Sequence, residues 1–257
     1  MKVFVGMESS GVVRRAFARR GHDVYSCDYL ESEDWSPNHL LGEVFQTLEE
    51  LKERGWWPDL AIFHPDCTYH TLAAAWAFAD PDYERYPSVG YHQRVKGDTL
   101  VGAARRDARV AAESDVERIA ALPIAMKAME NPRGTIPTRT SLRAPTQVIQ
   151  PYEFGHDASK ATCLWLWGLK PLTIDPRARF YGRKVIYNGK TVERWSNQTD
   201  SGQNRLSPSE DRWNDRSRTY LNIGEAMARD WGKLSPLQSP LELSKVRHRE
   251  TDIWELT

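Results

Sequence analysis

The stretch that decides the fold runs from Lys2 to Asp28 and reads KVFVGMESSGVVRRAFARRGHDVYSCD. Residues 2–5 are a short apolar strand that enters the turn Gly6-Met7-Glu8-Ser9-Ser10-Gly11. Val12, Val13, Ala16 and Phe17 recur at helical spacing with arginines on the other face, which predicts a helix over 12–20 stopped by Gly21. Residues 23–27 (DVYSC) are a second strand, with Asp28 just past its end. Strand, small-residue turn, helix, strand and acid together open a doubly wound α/β sheet that binds a nucleotide-like cofactor.

Working outward, a short helix over 48–54 precedes the strand LAIF (60–63), which ends at His64-Pro65-Asp66-Cys67-Thr68. Residues 80–102, rich in Tyr, Pro, Gly and charge, read as a long exposed loop of the kind that often serves as a lid. A helix over 105–122 leads to a strand at 124–129 with Glu130-Asn131-Pro132 at its end, and CLWLWGL (163–169) is a later apolar strand. Residues 177–203 are turn-rich, with a β-hairpin expected around Asn188-Gly189. A helix over 217–232 carries Ile223, Ala226, Met227 and Trp231 on one face, and residues 233–257 read as a tail. The expectation is one catalytic domain containing a small variable insert at 170–205.

The chain has 257 residues, with 35 basic and 35 acidic side chains. Net charge therefore offers no electrostatic case for nucleic acid, and any DNA contact must come from locally clustered arginines. Three cysteines, Cys27, Cys67 and Cys163, are too few and too scattered for a disulfide framework, so a reducing, cytoplasmic setting is expected. No apolar run approaches the ~20 residues that cross a bilayer, and the N-terminus reads as a buried strand rather than a signal peptide.

In an open α/β sheet, ligands bind at the carboxyl ends of strands, where Gly6–Gly11, Asp28, Pro65–Thr68 and Glu130–Pro132 all fall. Small residues at 6–11 let a backbone approach a ligand, and the following helix offers free N–H groups. Glu8 would repel a phosphate and suits a cationic ammonium or sulfonium instead. Asp28 is placed for ribose hydroxyls, although a tight turn plus a surface acid has the same pattern. Cys67, beyond a buried strand and near a helix start, can have a lowered pKa, and a buried inert cysteine is the competing reading. His64, Cys67 and His70 also have ligand-like chemistry at three-residue spacing. A partly desolvated Glu130 would have a raised pKa and could share a proton; Asn131-Pro132 could equally be a cap.

Taken in order, MESSG (7–11), HPDCT (64–68), MENPRG (129–134), KATCLWL (160–166) and DRWNDRSRTYLNIGEAMARDWG (211–232) resemble the DNA cytosine-5 methyltransferases. The resemblance is closest to the short phage- and prophage-type members, spans residues 3–232, and is most specific in the last block. It implies a Rossmann-like methyltransferase sheet that modifies cytosine-containing DNA, marking or protecting phage or host DNA, without a membrane or an obligate protein partner. S-adenosylmethionine would lie over Gly6, Met7, Glu8, Ser9, Ser10 and Gly11, flanked by Phe4 and Pro65, with Asp28 on its ribose. The C-terminal helix, through Tyr220 and Asn222, would close that pocket. Cys67 would add to carbon 6 of the base, with Glu130 and Asn131 completing the catalytic set. Thr68, Pro132, Lys160, Arg183, Lys184 and Arg205 would meet the substrate.

The chain departs from the family pattern in several places. The first-turn glycine pair is Glu8-Ser9, the proline before the cysteine is Asp66, and the glutamine–arginine pattern before the late strand is Ser159-Lys160-Ala161-Thr162. An acid beside the nucleophile opposes thiolate formation. The insert is small for reading sequence through the major groove; Arg177, Arg179, Arg183, Lys184, Arg194 and Arg205, interleaved with Tyr187 and Trp195, form its expected footprint or a solvated surface. A free pyrimidine nucleotide as substrate, transfer of another group, and a non-catalytic binding protein of the same fold are the alternatives.

Overall fold

The computed structural model describes residues 1–80, 84, 100–205 and 218–233. Seven strands, β1 (Lys2–Gly6), β2 (Asp23–Asp28), β3 (His39–Leu41), β4 (Leu60–Phe63), β5 (Met126–Pro132), β6 (Gln147–Ile149) and β7 (Thr162–Trp167), form one sheet. Its order is β3-β2-β1-β4-β5-β7-β6. β1 to β5 pair in parallel, and β7 runs antiparallel between β5 and β6. This is the Rossmann-like, doubly wound sheet expected from the sequence. The chain winds outward through β2 and β3, then returns to β4 on the other side of β1, so the direction of winding reverses between β1 and β4.

The strands are apolar on both faces because helices cover both. Val3, Val5, Leu60, Ile62 and Ala128 face one cluster with Phe17 of α1 (Val12–Ala18) and Ile223, Met227 and Trp231 of α5 (Leu221–Trp231). Phe4, Ala61, Phe63 and Met129 face the other. That second side is covered by Val44, Phe45 and Leu48 of α2 (Val44–Glu53) and by Val116 and Ile119 of α3 (Gly102–Ala121). Each fully buried side chain of this size contributes about 1.5–3 kcal/mol relative to exposure. A short helix, α4 (Ile136–Arg139), follows β5.

α5 packs directly on α1. A Cβ at Gly224 would lie 3.2 Å from Val12 Cγ1, so glycine permits the close approach. Glu225 adds ion pairs to Arg19 and Arg20.

Several boundaries differ from the sequence expectation. α1 ends at Ala18. α2 begins at Val44, four residues earlier than expected, because the Glu43 side chain caps it by accepting from Gln46 N at 2.7 Å. Glu130, Asn131 and Pro132 lie within β5, in register with Leu164, Cys163 and Thr162, rather than beyond it. β3 and β6 were not foreseen: each has three residues, too few to establish a period.

The insert contains the expected hairpin, β8 (Arg183–Tyr187) against β9 (Lys190–Arg194). Asn188 and Gly189 both have positive φ (50° and 72°), as a tight two-residue hairpin turn requires. Most of the expected loop at 80–102, residues 211–217 of the terminal block, and nearly all of the tail lie outside the described residues.

Candidate active site

A cleft of about 210 Å³ opens at the carboxyl ends of β1, β2, β4 and β5, beside the reversal in winding. Four groups of residues line it. The β1 turn supplies Met7, Glu8, Ser9 and Ser10, and Asp28 ends β2. The β4 loop supplies His64, Pro65, Asp66 and Cys67, and β5 supplies Glu130, Asn131 and Pro132. Lys160, Arg218 and Thr219 complete the wall.

At the β1 turn, Met7 takes a left-handed φ of 61°, and its N–H donates to the Cys27 carbonyl at 2.7 Å, carrying the chain across the end of β2. Glu8 is 5% exposed. Its Oε1 accepts from Ser10 Oγ (2.6 Å) and from the Val13 N–H (3.2 Å), while Val12 N–H donates to Ser10 Oγ at 3.3 Å. The helix N–H groups expected to be free for a ligand are therefore satisfied internally. Glu8 Oε2 is buried with no hydrogen-bond partner. Asp28 accepts from the Leu30 N–H at 3.0 Å, and burial pushes its carboxyl up from the usual range.

The β4 loop presents Cys67. Asp66 Oδ1 accepts from Thr68 N (2.8 Å) and Thr68 Oγ1 (2.5 Å), a local turn that organises the loop around the cysteine. The Cys67 carbonyl accepts from the N–H groups of His70 and Thr71 at 3.1 and 3.0 Å, so Cys67 opens a single turn. The following 3-10 helix begins only at Leu72, so no long helix starts beside the thiol. Cys27 and Cys163 are buried, and burial pushes their thiols up, that of Cys27 to about 11. Cys67 is the half-buried one, and it faces the cleft.

Glu130 is 7% exposed. Burial pushes its carboxyl up, but the hydrogen bond donated by His64 Nδ1 to Oε2 (2.9 Å) and the charge of Lys160 outweigh that and hold it below the usual range. The raised pKa expected for Glu130 is thus reversed: two polar neighbours overcome desolvation, and the group is a carboxylate. Asn131 Nδ2 donates to the Pro65 carbonyl at 2.8 Å, a buried bond that ties β5 to the Cys67 loop.

Other expected site residues lie elsewhere. Phe4 is wholly buried in the core, on the sheet face covered by α2 and α3, and does not line the cleft. Gly6 is required by packing, since a Cβ there would meet Val44 Cγ2 at 2.7 Å and Phe63 Cδ1 at 2.8 Å; neither it nor Gly11 lines the cleft. Tyr220 packs at a tilt against His156 (ring centroids 5.0 Å apart), and Asn222 donates to the Phe154 carbonyl at 2.7 Å, so the terminal block reaches the cleft through Arg218 and Thr219 instead.

Thr68, Arg183, Lys184 and Arg205 are exposed outside the cleft. In the insert, Arg177, Arg179 and Arg183 are paired with Asp175, Glu193 and Asp200. Trp195 is buried against Tyr152 (ring centroids 4.0 Å apart) and is a packing residue, not a stacking surface. Among the described residues no group of three or more His, Cys, Asp or Glu could hold a metal ion. His70 is fully buried, and His64 is engaged by Glu130.

Sequence reasoning weighed His64 only as a metal ligand. The missing signal was strand pairing: Phe63 is in register with Met129, which sets residue 64 beside residue 130.

No protein-family model matches the chain, and no curated protein matches it in sequence. Among solved structures, it is similar to an E. coli prophage-encoded protein described as a candidate DNA modification methyltransferase. The identity is 11% and the TM-score 0.38, over 65% of this chain and 46% of that one. The chain thus spans about half the length of that neighbour. The strand order, not this likeness, defines the fold. No helix among the described residues is long and apolar enough to cross a membrane.

Proposed function

We propose that the chain transfers a methyl group from S-adenosylmethionine to carbon 5 of cytosine in DNA, with Cys67 as the nucleophile. One observation carries this reading: half-buried Cys67 and ionised Glu130, on adjacent strand ends, share a cleft with the acids Glu8 and Asp28.

The residues present fit the cofactor. The first N–H groups of α1 are already taken by Ser10 and Glu8, which leaves no cradle for a phosphate. The partnerless Glu8 Oε2 favours a ligand with a cationic ammonium or sulfonium, since an unpaired buried carboxylate oxygen is costly. Asp28 suits ribose hydroxyls. When bound, S-adenosylmethionine supplies an electrophilic methyl group on a cationic sulfur.

Carbon 5 of cytosine is a poor nucleophile until something adds at carbon 6. The Cys67 thiolate makes that addition, dividing one difficult step into easier ones. Glu130, as a carboxylate, accepts a hydrogen bond from the exocyclic amino group and so holds the base in place. Asn131 holds the Pro65 carbonyl and with it the loop that presents Cys67. Loss of the carbon 5 proton and of Cys67 restores aromaticity. Reaching a base within a duplex requires flipping it out of the stack. Lys184, Lys190 and Arg205, which form no ion pair among the described residues, are the insert cations best placed for phosphate.

The pairing of three insert arginines with acids favours a second reading, in which the substrate is a free pyrimidine nucleotide. Intact-mass measurement after incubation with cofactor and DNA containing 5-fluorocytosine tests the first, because the fluorine blocks the final elimination and traps the adduct. A covalent adduct with wild type and none with Cys67→Ser supports it. Radiolabel appearing on deoxycytidine monophosphate but not on DNA would transfer the assignment to the nucleotide.

A further inference from the structure

His64 lines the cleft, yet the reaction above gives it no role. The His64 and Glu130 side chains are only 10% and 9% exposed, and the imidazole Nδ1 lies 2.9 Å from Glu130 Oε2. The second ring nitrogen, Nε2, is buried with no hydrogen-bond partner. The pairing follows from the backbone, because parallel register places the first residue after β4 beside the corresponding residue of β5. Lys160 also lines the cleft and acts on Glu130 by charge alone. An ionised Glu130 can accept a hydrogen bond but has no proton to give. Thiolate addition to a cytosine ring, however, drives an electron pair onto N3. A donor behind the carboxylate would resolve this.

Resting on the methyl-transfer reading, we propose that His64 is a positioning residue and proton reservoir for Glu130: its Nδ1–H orients the carboxylate and, as Cys67 adds to the base, its proton reaches ring N3 through Glu130. In that step Cys67 Sγ bonds to carbon 6. The carbon 5–carbon 6 π pair moves to carbon 4–carbon 5, and the carbon 4–N3 π pair moves onto N3. Glu130 Oε2 takes the proton from His64, so the imidazolium becomes imidazole, and the carboxylic acid formed passes that same proton to N3 and ends as a carboxylate again. After carbon 5 is methylated, its proton leaves to water, the Cys67–carbon 6 bond breaks, and the N3 proton returns along the same path. No oxidant or net proton donor is consumed.

The charged and titratable groups that share the cleft are Lys160, Asp66, Cys67, Glu8, Asp28 and Arg218. Cys163 also feels the Glu130 charge. None of these side-chain types ordinarily changes charge between about pH 5 and 8, and among the described residues His64 is the histidine that lines the cleft. The rate of adduct formation with 5-fluorocytosine DNA is therefore measured from about pH 5 to 9 for wild type and His64→Asn. The asparagine amide can donate to the same Glu130 oxygen but holds no titrating proton. Wild type is expected to show a limb that falls as pH rises and the relayed proton is lost. His64→Asn should be about 100-fold slower and lack that limb. A His64→Asn protein with the wild-type rate and the same limb overturns the relay. Should that variant not fold, the wild-type profile decides, and absence of the falling limb overturns the relay. No adduct from wild type at any pH overturns the methyl-transfer reading and the relay together, whereas adduct formation with an unchanged His64→Asn profile overturns the relay alone.

Discussion

Asn131 offers the sharpest test of how the cleft is held together. Its Nδ2 donates to the Pro65 carbonyl across 2.8 Å in a buried setting, and with the His64–Glu130 bond it links β5 to the loop bearing Cys67. Asn131→Ala leaves that carbonyl unsatisfied, at a cost of about 1–3 kcal/mol. For a chain of this size each kcal/mol lowers Tm by about 2–4 °C, so the expected loss is roughly 2–12 °C. Asn131→Asp keeps the shape but sets a carboxylate oxygen against a carbonyl oxygen, next to ionised Glu130. Only the protonated acid can donate there, so the folded-state pKa of the new side chain must lie above its unfolded value. Stability is then present below the unfolded value, about pH 4, and is lost as pH rises through the folded one. Differential scanning calorimetry at several pH values reads this directly. Asn131→Asp should approach wild type in acid and fall below Asn131→Ala near neutrality. An Asn131→Asp protein as stable as wild type near neutrality, or a Tm difference flat with pH, would refute the proposed role of the bond.

Other expectations follow from the same geometry. Gly6→Ala drives a Cβ to within 2.8 Å of Val44 and Phe63, and should cost about 1–3 kcal/mol in urea denaturation through overpacking, without changing the slope. At Asp34, burial pushes the carboxyl up, but hydrogen bonds from Ser32, Arg15 and Arg14 hold it well below the usual range. A depressed folded value stabilises above the unfolded value and is lost as pH falls below about 4, so Arg14→Ala should flatten the acid limb of a stability–pH profile. In DNA binding, Lys184→Ala and Lys190→Ala should each reduce the log-affinity against log-salt slope by about one unit if each contacts a phosphate. Arg183→Ala should change it less, because Asp200 already neutralises that guanidinium.

The legible part of the fold was the local part. Val3–Val5, Leu60–Phe63 and the spacing of Val12, Val13, Ala16 and Phe17 carry strand and helix patterns that survive folding, because each element buries the face its sequence already makes apolar. Asn188-Gly189 specified a hairpin through backbone conformation alone. The edge strands β3 and β6 were not legible, since three residues have no measurable period. Trp195, Arg179 and Arg183 looked like a nucleic-acid surface in sequence, but their partners Tyr152, Glu193 and Asp200 lie 14–43 positions away.

What the sequence determined by itself was which chemical groups sit at strand ends: Glu8, Asp28, Cys67 and Glu130 each follow or close an apolar run whose period can be read directly. Tertiary structure alone decided which of those groups meet, and in what state of charge. Parallel pairing of β4 with β5 brought His64 to Glu130, and that contact, with Lys160, turned an expected acid into a carboxylate. The physical reason is range. Hydrophobic period is a property of neighbours along the chain, whereas desolvation and charge at Glu130 depend on side chains 30 and 66 residues away that only the sheet assembles.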